Sequence, residues 1–322
     1  MGHDLGNVWE KFLLDVKEAD RLKSLTNERV INDLKEGLSV KNIDGTIYAF
    51  GSRIVGVADT NSDLDLYVDI ANINSISILQ PETVRSNHNK IFSAIKWNYS
   101  KWAIVDNLSC VSCPIIIAKH KGTGLMCDIS SSSPMAVYQN FLVIYLFEIQ
   151  PIARYMVIYV RAWLKKHGLN GFRSHILILM VIFFLQIRGK LPAINTLQEG
   201  LSPNLYPFTM RFVNYDLAHF NMSEIPINKK ECSDVLLDFF KYYSTFNFSK
   251  VAVCCYIGVE KTFKERRFCL PDRFQDTLSH EPADVMIYDF INVAENIAAS
   301  INGLQLNDFQ TKMAQQLQST FF

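Results

Sequence analysis

The sequence lacks an excess of either charge. Its 322 residues contain 32 Lys and Arg against 32 Asp and Glu, so the formal net charge is zero. A chain without a strong positive field does not attract nucleic acid over long distances. Any contact with RNA is therefore expected to come from a local patch, with modest and salt-dependent affinity.

Long apolar runs and a signal peptide are also missing. The most apolar stretch, residues 176–187, is too short to cross a bilayer and is typical of a buried helix. The seven cysteines, an odd number, indicate reduced thiols in a cytosolic type of compartment. We therefore expect a cytoplasmic protein that does not associate with membranes.

The composition shows no sign of disorder or low complexity. Apolar residues make up 49% of the chain and charged residues 20%, as in ordinary globular proteins. A chain of this length is long enough for two domains, each with its own core.

Two acidic residues alternate with leucines after a Gly-Ser pair in "FGSRIVGVADTNSDLDLYVDI", residues 50–70. Alternate side chains of a β-strand point to opposite faces, so Asp63 and Asp65 share one face and Leu64 and Leu66 the other. Two like charges this close are costly unless a cation neutralises them. The alternative is a solvated hairpin end, in which the acids only follow turn-forming residues.

A third acid supports the interpretation of a metal site. Asp128 ends the strand-like segment "GLMCDIS", and on a neighbouring strand it would complete a set of three carboxylates. Carboxylate oxygens are the ligands that Mg²⁺ and Mn²⁺ prefer. The sequence therefore predicts a divalent metal site at Asp63, Asp65 and Asp128.

The order of predicted elements changes along the chain. Helical periodicity begins at residue 7 and again at residue 28, strand patterns then dominate to about residue 133, and helices follow, including the tail from residue 288. This order predicts an α+β fold, with a layer that contains a sheet followed by a mainly helical part.

These motifs resemble those of the DNA polymerase β-like nucleotidyltransferases. "FGSRIVGVADTNSDLDL" resembles their Gly-Ser turn followed by Ser-Asp-x-Asp-Leu, and "CDIS" resembles the strand that carries their third aspartate. "SSPMAVYQN" and "VRAWLKKHGLNGFRSHILILMVIFFLQ" resemble segments of the terminal uridylyltransferases and the related poly(A) polymerases. The resemblance extends over nearly the whole chain.

The resemblance implies a fold and a domain organisation. It implies a polymerase β-like palm with a mixed sheet and helices at residues 28–143. It also implies a mainly helical, poly(A)-polymerase-associated central domain formed by residues 1–27 and 144–322. In this family the active-site cleft lies between the two domains.

The resemblance also implies an activity and its chemistry. It implies template-independent transfer of uridylyl residues from UTP to an RNA 3′ end, with release of pyrophosphate, in RNA tailing and turnover. Asp63, Asp65 and Asp128 would hold two Mg²⁺ or Mn²⁺ ions, and Gly51, Ser52 and Ser62 would contact the nucleotide.

Three further residues are expected to contact the nucleotide. Arg161 and Lys165 are four residues apart, which places them on one face of a predicted helix, and the resemblance implies that this face grips the β- and γ-phosphates. The alternative is a solvated basic helix end. Ser174 begins the next predicted helix, and its alternative role is that of an N-cap.

The chain departs from the family at the positions that contact the sugar and base. His175 stands where a stacking tyrosine is usual, and Gln139 and Asn140 replace an Asn-Thr pair. Many uridylyltransferases select uracil with a histidine before Asn-Val-Ala, where this chain has Ile291. His280 is a candidate replacement, although an ordinary loop histidine is the alternative.

Selection of UTP is therefore supported by similarity over the whole chain rather than by one residue. A poly(A) polymerase with ATP as donor is the alternative, and an inactive nucleotidyltransferase scaffold is a rival without enzymatic activity. No separate RNA-recognition module is visible, so the choice of RNA depends on the cleft, on other segments or on a partner. We expect a monomer whose partner is a 3′–5′ exonuclease or an RNA-binding protein.

Overall fold

A computed structural model describes residues 6–25, 27–70, 80–110, 113–200, 211–270, 283–319 and 321–322. Over these residues the chain forms two compact units. The first comprises Met1–Val16 and Leu142–Phe322, and the second comprises Lys17–Phe141. We call the second the sheet unit and the first the helical unit.

A five-stranded mixed sheet forms the centre of the sheet unit. Its strands lie in the order β1-β2-β5-β4-β3, and only the β2–β5 pair is parallel. The strands are β1 (Thr46–Phe50), β2 (Leu64–Asp69), β3 (Trp102–Leu108), β4 (Ile115–His120) and β5 (Met126–Ser130). The helices that belong to it are the C-terminal part of α1 (Gly6–Ser24), α2 (Glu28–Val40), α3 (Ser52–Val55), α4 (Pro81–Trp97) and the start of α5 (Met135–Ile149).

One face of this sheet packs against helices. Leu64 and Leu66 of β2 are fully buried and belong to the same core cluster as Leu34 of α2 and Ile91 of α4. Burial of such side chains contributes about 1.5–3 kcal/mol each. Because Leu64 and Leu66 are buried against the helices, the alternation of side chains in β2 places Asp65 on the opposite face of the sheet.

The helical unit is built around one helix that is buried on nearly every side. Residues 176–186 are all buried within α7, as expected for a helix that is hydrophobic on every side. Its helices are α6 (Ile152–Lys166), α7 (Ser174–Ile187), α8 (Lys229–Thr245), α9 (Phe263–Cys269) and α10 (Gly303–Gln316), with the remainder of α1 and α5. Gly168, at φ +69, follows the end of α6, as its position after the basic last turn predicts.

The helical unit also contains strands that the sequence analysis did not predict. The short strands β6 (Val251–Cys254), β7 (Lys261–Thr262) and β8 (Ile287–Tyr288) form a second sheet in the order β7-β6-β8. The expectation of a helix from residue 288 was therefore wrong at its start, because Tyr288 pairs in β8 and the helix α10 begins at Gly303. Asn302 caps that helix by accepting a hydrogen bond from the Gln305 N–H.

The predicted fold class is confirmed, because the described residues form a mixed sheet with helices followed by a mainly helical unit. In the described part of the chain, no single helix has the length and apolar character needed to cross a membrane. Among the described helices, α5 and α6 taken together have that length and composition, and a bend of 112° separates them.

Candidate active site

The carboxylates of Asp65 and Asp128 lie on adjacent strands. β2 and β5 are parallel, and Asp65 pairs directly with Asp128 in their register. Directly opposed residues on neighbouring strands have Cβ atoms about 5 Å apart. The sheet therefore brings together two acids that are 63 positions apart in the sequence, on the face opposite the buried leucines.

A glycine turn at the end of β1 lies against the Asp65 carboxylate. Gly51 lies between Phe50, which pairs with Asp65, and α3, which begins at Ser52. At φ +81 and ψ −166 its backbone has a conformation that other residues rarely adopt. A Cβ at this position would overlap the carboxylate of Asp65, with Cγ only 2.7 Å away. The absence of a side chain lets the turn approach the carboxylate.

A buried arginine forms a hydrogen bond with the loop that carries Asp63. Arg53 is 5% exposed, and its Nε donates a hydrogen bond of 2.9 Å to the carbonyl oxygen of Ser62. The Ser62 hydroxyl in turn accepts a 2.9 Å bond from the Asp59 N–H. Ser62 is thereby buried in the turn, and Asp63, next in the chain, is exposed.

The three acids influence one another electrostatically. Burial, followed by the like charges of Asp128 and Asp63, raises the pKa of the Asp65 carboxyl to about 7. Burial and then the charge of Asp63 also raise the pKa of Asp128. A cation among these carboxylates would remove the repulsion, which is the smaller of the two causes that raise both pKa values.

The donor chemistry fits a magnesium or manganese ion, because all three side chains offer hard carboxylate oxygens. Within the residues that the structure describes, no three acidic, histidine or cysteine side chains are already arranged to hold an ion. The chemistry of Asp63, Asp65 and Asp128 therefore fits the ion, while their closing around it remains a prediction.

The two residues expected to contact sugar and base lie on α5. Gln139 and Asn140 are both partly buried and belong to the sheet unit. Asn140 Nδ2 is buried and has no hydrogen-bond partner among the described residues. A buried donor without a partner costs about 1–3 kcal/mol, which a hydroxyl or carbonyl oxygen of a ligand would offset.

The remaining expected phosphate contacts lie in the helical unit. Arg161 and Lys165 both belong to α6, with Arg161 partly buried and Lys165 exposed. Both also interact with other residues of the chain. Ser174 is the first residue of α7, but Arg173 occupies the N-cap position, so the alternative role of Ser174 as an N-cap does not apply.

The base-contacting candidates differ in their exposure. His175 is partly exposed on α7, and its Nε2 lies 3.0 Å from Oδ2 of Asp289, which is 2% exposed. Ile291 is buried, at 3% exposure, and its backbone N–H donates to Asp289. His280 lies outside the described residues.

Sequence reasoning missed Arg53 and Asp289. Arg53 lies within the quoted motif, but nothing in a sequence shows that an arginine in a short turn is buried against a backbone carbonyl. Asp289 and its partner His175 are 114 positions apart, so local periodicity carries no information about their contact.

Comparison with known proteins agrees with the geometry of the sheet unit. Residues 10–147 match the family model described as poly(A) RNA polymerase, mitochondrial-like, central palm domain. Among curated relatives, the chain is 23% identical to Protein HESO1 of Arabidopsis thaliana, over 81% of this chain and 55% of that protein. It is 24% identical to poly(A) RNA polymerase GLD2-A of Xenopus laevis, over 77% of this chain and 47% of that protein. The chain thus spans about half the length of these relatives.

Solved structures show the same fold. The crystal structure of mtPAP in complex with UTP superposes with a TM-score of 0.75 at 20% identity, covering 98% of this chain and 71% of that one. Terminal uridylyl transferase 4 from Trypanosoma brucei with bound CTP superposes with a TM-score of 0.69 at 16% identity, covering 96% and 98%.

The resemblance to terminal uridylyltransferases and related poly(A) polymerases is therefore confirmed. Residues 10–147 therefore resemble the central palm domain of mitochondrial-like poly(A) RNA polymerases, and the solved structures share their fold with nearly the whole chain. The named proteins include both a poly(A) RNA polymerase and a uridylyl transferase, so these similarities do not single out one nucleotide donor.

Proposed function

We propose that this protein is an RNA 3′-terminal uridylyltransferase. The oxygen of the RNA 3′-hydroxyl attacks the α-phosphorus of UTP, the bond to the β-phosphate oxygen breaks, pyrophosphate leaves, and the hydroxyl proton passes to solvent. The observation that carries the proposal is the direct pairing of Asp65 with Asp128 beside the Gly51 turn.

Asp63, Asp65 and Asp128 would hold two Mg²⁺ or Mn²⁺ ions. When bound, such ions lower the pKa of the attacking hydroxyl and offset the charge that develops on the leaving pyrophosphate. The three acids would orient those ions. Because the RNA 3′-hydroxyl is the nucleophile, the reaction needs no side-chain nucleophile. Arg53 acts on Asp63 through the backbone of Ser62, which it fixes.

Other residues bind the nucleotide. We propose that Ser52 and the Gly51 turn contact the triphosphate, with Ser62 supporting the adjacent loop. In this proposal the unpaired Asn140 Nδ2 donates to the ribose or base, and Gln139, its neighbour on α5, contacts the same nucleotide.

Residues of the helical unit complete this set. Arg161 and Lys165 would neutralise the β- and γ-phosphates, Ser174 would contact the nearest phosphate, and His175 would contact the base. Because the Ile291 side chain is buried, it cannot contact a base in this conformation. His280 remains a candidate for base selection.

The cellular setting is also a proposal. We propose that the protein acts in the cytoplasm, as a monomer, on RNA 3′ ends during RNA tailing and turnover. The balanced net charge supports a partner that brings the RNA, such as a 3′–5′ exonuclease or an RNA-binding protein.

Extension of one RNA primer with UTP, ATP, CTP and GTP in separate reactions tests the proposal. The expected result is metal-dependent addition that is fastest with UTP at limiting concentration. Equal or faster addition from ATP would replace the proposal with that of a poly(A) polymerase, the activity named for several relatives. Absence of addition with any nucleotide would favour the inactive scaffold.

A further inference from the structure

The contact between His175 and Asp289 joins two distant parts of the helical unit. His175 lies in the first turn of α7, and Asp289 follows β8 directly. Nε2 of His175 is 3.0 Å from Oδ2 of Asp289. The carboxylate is almost completely buried, at 2% exposure, while the imidazole remains partly exposed at 35%.

The carboxylate of Asp289 is held in one orientation. Its other oxygen, Oδ1, accepts hydrogen bonds from the N–H groups of Ile291 at 2.7 Å and Asn292 at 2.8 Å. Arg266, also buried, fixes the next part of the loop by donating from Nη1 to the carbonyl oxygen of Val293 at 2.8 Å. The two oxygens of Asp289 therefore have distinct and fixed partners.

The ionisation of Asp289 fixes which nitrogen of His175 carries a proton. Burial alone would raise the pKa of Asp289, but the hydrogen bond and charge of His175 and the two loop N–H groups hold that pKa below its ordinary value. An ionised carboxylate only accepts hydrogen bonds, so Nε2 must carry the proton. In the neutral imidazole Nδ1 is then an acceptor, and it has no hydrogen-bond partner among the described residues.

We propose that Asp289 is a positioning residue that fixes His175 as an imidazole with its acceptor nitrogen, Nδ1, presented to the nucleobase. The ligand class is a nucleoside triphosphate whose base donates a ring N–H. The inference rests on the proposed function, because the resemblance places the base at position 175. In this arrangement polar recognition by the ring edge replaces the stacking that the usual tyrosine performs.

Uracil and cytosine provide the sharpest comparison, because the two bases have nearly the same size. Uracil N3 carries a hydrogen and donates to an acceptor, whereas cytosine N3 carries a lone pair and meets Nδ1 unfavourably. A site that pairs with one base and leaves the other unpaired discriminates by hydrogen bonding rather than by volume. We therefore expect the wild-type protein to bind UTP more tightly than CTP.

Asp289→Asn reverses this arrangement while keeping the volume. The asparagine oxygen can still accept from the Ile291 and Asn292 N–H groups, which places its NH₂ group against His175. Nε2 then has to accept, and the proton moves to Nδ1. Nitrogen NMR of the imidazole, recorded at a pH where the spectrum itself shows a neutral ring, is expected to show the Nε2–H tautomer in the wild type and the Nδ1–H tautomer in the variant.

The second measurement is binding of non-hydrolysable UTP and CTP analogues, which needs no catalysis. The preference for the UTP analogue is expected to fall by about three- to tenfold in Asp289→Asn, the size of one neutral hydrogen bond. His175→Phe leaves both backbone hydrogen bonds to Asp289 in place and is expected to lose the preference for the UTP analogue to a similar degree. This variant provides the test if Asp289→Asn does not fold. Asn292→Ala retains the backbone N–H and is expected to keep the wild-type tautomer and preference.

Several results would overturn the inference. An Nδ1–H tautomer in the wild type would do so, as would an unchanged preference in a folded Asp289→Asn or His175→Phe variant. If wild type still added uridylyl residues to RNA in those cases, the proposed function would stand without this inference. If wild type bound neither analogue, the inference and the proposed nucleotide site would fail together.

Discussion

The sheet unit and the helical unit differ in how their candidate residues are positioned. In the sheet unit, Asp65 and Asp128 lie where strand periodicity and parallel pairing place them, with Gly51 against the first acid. In the helical unit, His175 is fixed by Asp289 across 114 positions of the chain. The acids proposed for the chemical step are thus positioned by regular strands, whereas His175, proposed to contact the base, depends on a long-range side-chain contact.

The largest expected effect lies in the sheet unit. Asp63→Asn, Asp65→Asn and Asp128→Asn should each lower nucleotide addition by about a thousandfold or more, because each removes a metal-binding charge worth several kcal/mol. Primer extension with Mg²⁺ or Mn²⁺ measures the loss. Asp106→Asn, an exposed position on the edge strand β3, is the matched control and should be fully active. Extension at a near wild-type rate by any of the three variants would exclude that acid from the site.

The second expected effect concerns Gly51, and it separates the strain of a positive φ from steric contact with the Asp65 carboxylate. Gly51→Ala should lower the free energy of unfolding by about 1–3 kcal/mol through strain, with a further loss of activity because its Cβ displaces the Asp65 carboxylate. Gly124→Ala is the matched control. Gly124 also has a positive φ, +72, but a Cβ there meets nothing within 4 Å among the described residues. Urea unfolding and primer extension should show that Gly124→Ala loses stability alone; equal activity of the two variants would contradict this.

The sequence was sufficient to predict the sheet unit for a physical reason. A strand has a period of two, so placing Leu64 and Leu66 in the core also places Asp65 on the other face. The Gly-Ser turn is similarly local. Strand periodicity does not show which strand lies beside β2, and the resemblance of "GLMCDIS" to a family strand is what predicts that segment as the neighbour.

The helical unit was less predictable for the opposite reason. Apolar periodicity identified α6 and α7, but it could not show that Ile291 is buried or that Asp289 reaches His175. Strands β6 to β8 are two to four residues long, too short for a clear alternating pattern. Tyr288 was therefore assigned to a helix instead of a strand.

The third expected effect tests the phosphate contacts of the helical unit. Lys165→Ala and Arg161→Ala should each weaken UTP binding about tenfold or more, since a charge-assisted hydrogen bond to phosphate contributes about 1.5–3 kcal/mol. Lys166→Ala, an exposed neighbour that points to another face of α6, is the matched control. Titrations with UTP and with uridine provide the measurement. If Lys165→Ala and Lys166→Ala bound UTP equally well, the phosphate role of Lys165 would be excluded.

The smallest expected effect concerns stability. It measures the stability that the folded protein loses when the partly buried Asp65 carboxyl is ionised beside Asp63 and Asp128. The pKa of Asp65 is about 7 in the folded protein and near 3.8 when unperturbed, so the folded state binds the proton more tightly. The resulting stability is fully present below the unfolded pKa and is lost as the pH rises through about 7. Without divalent metal, the melting temperature of the wild type should fall over this range relative to Asp65→Asn, by about 2–4 °C for each kcal/mol. Thermal unfolding at several pH values in EDTA measures this difference, with Asp106→Asn expected to follow the wild type. Parallel profiles for wild type and Asp65→Asn would show that the pKa of Asp65 is not raised in the folded protein, whereas their convergence on adding Mg²⁺ is expected if a cation neutralises the three acids.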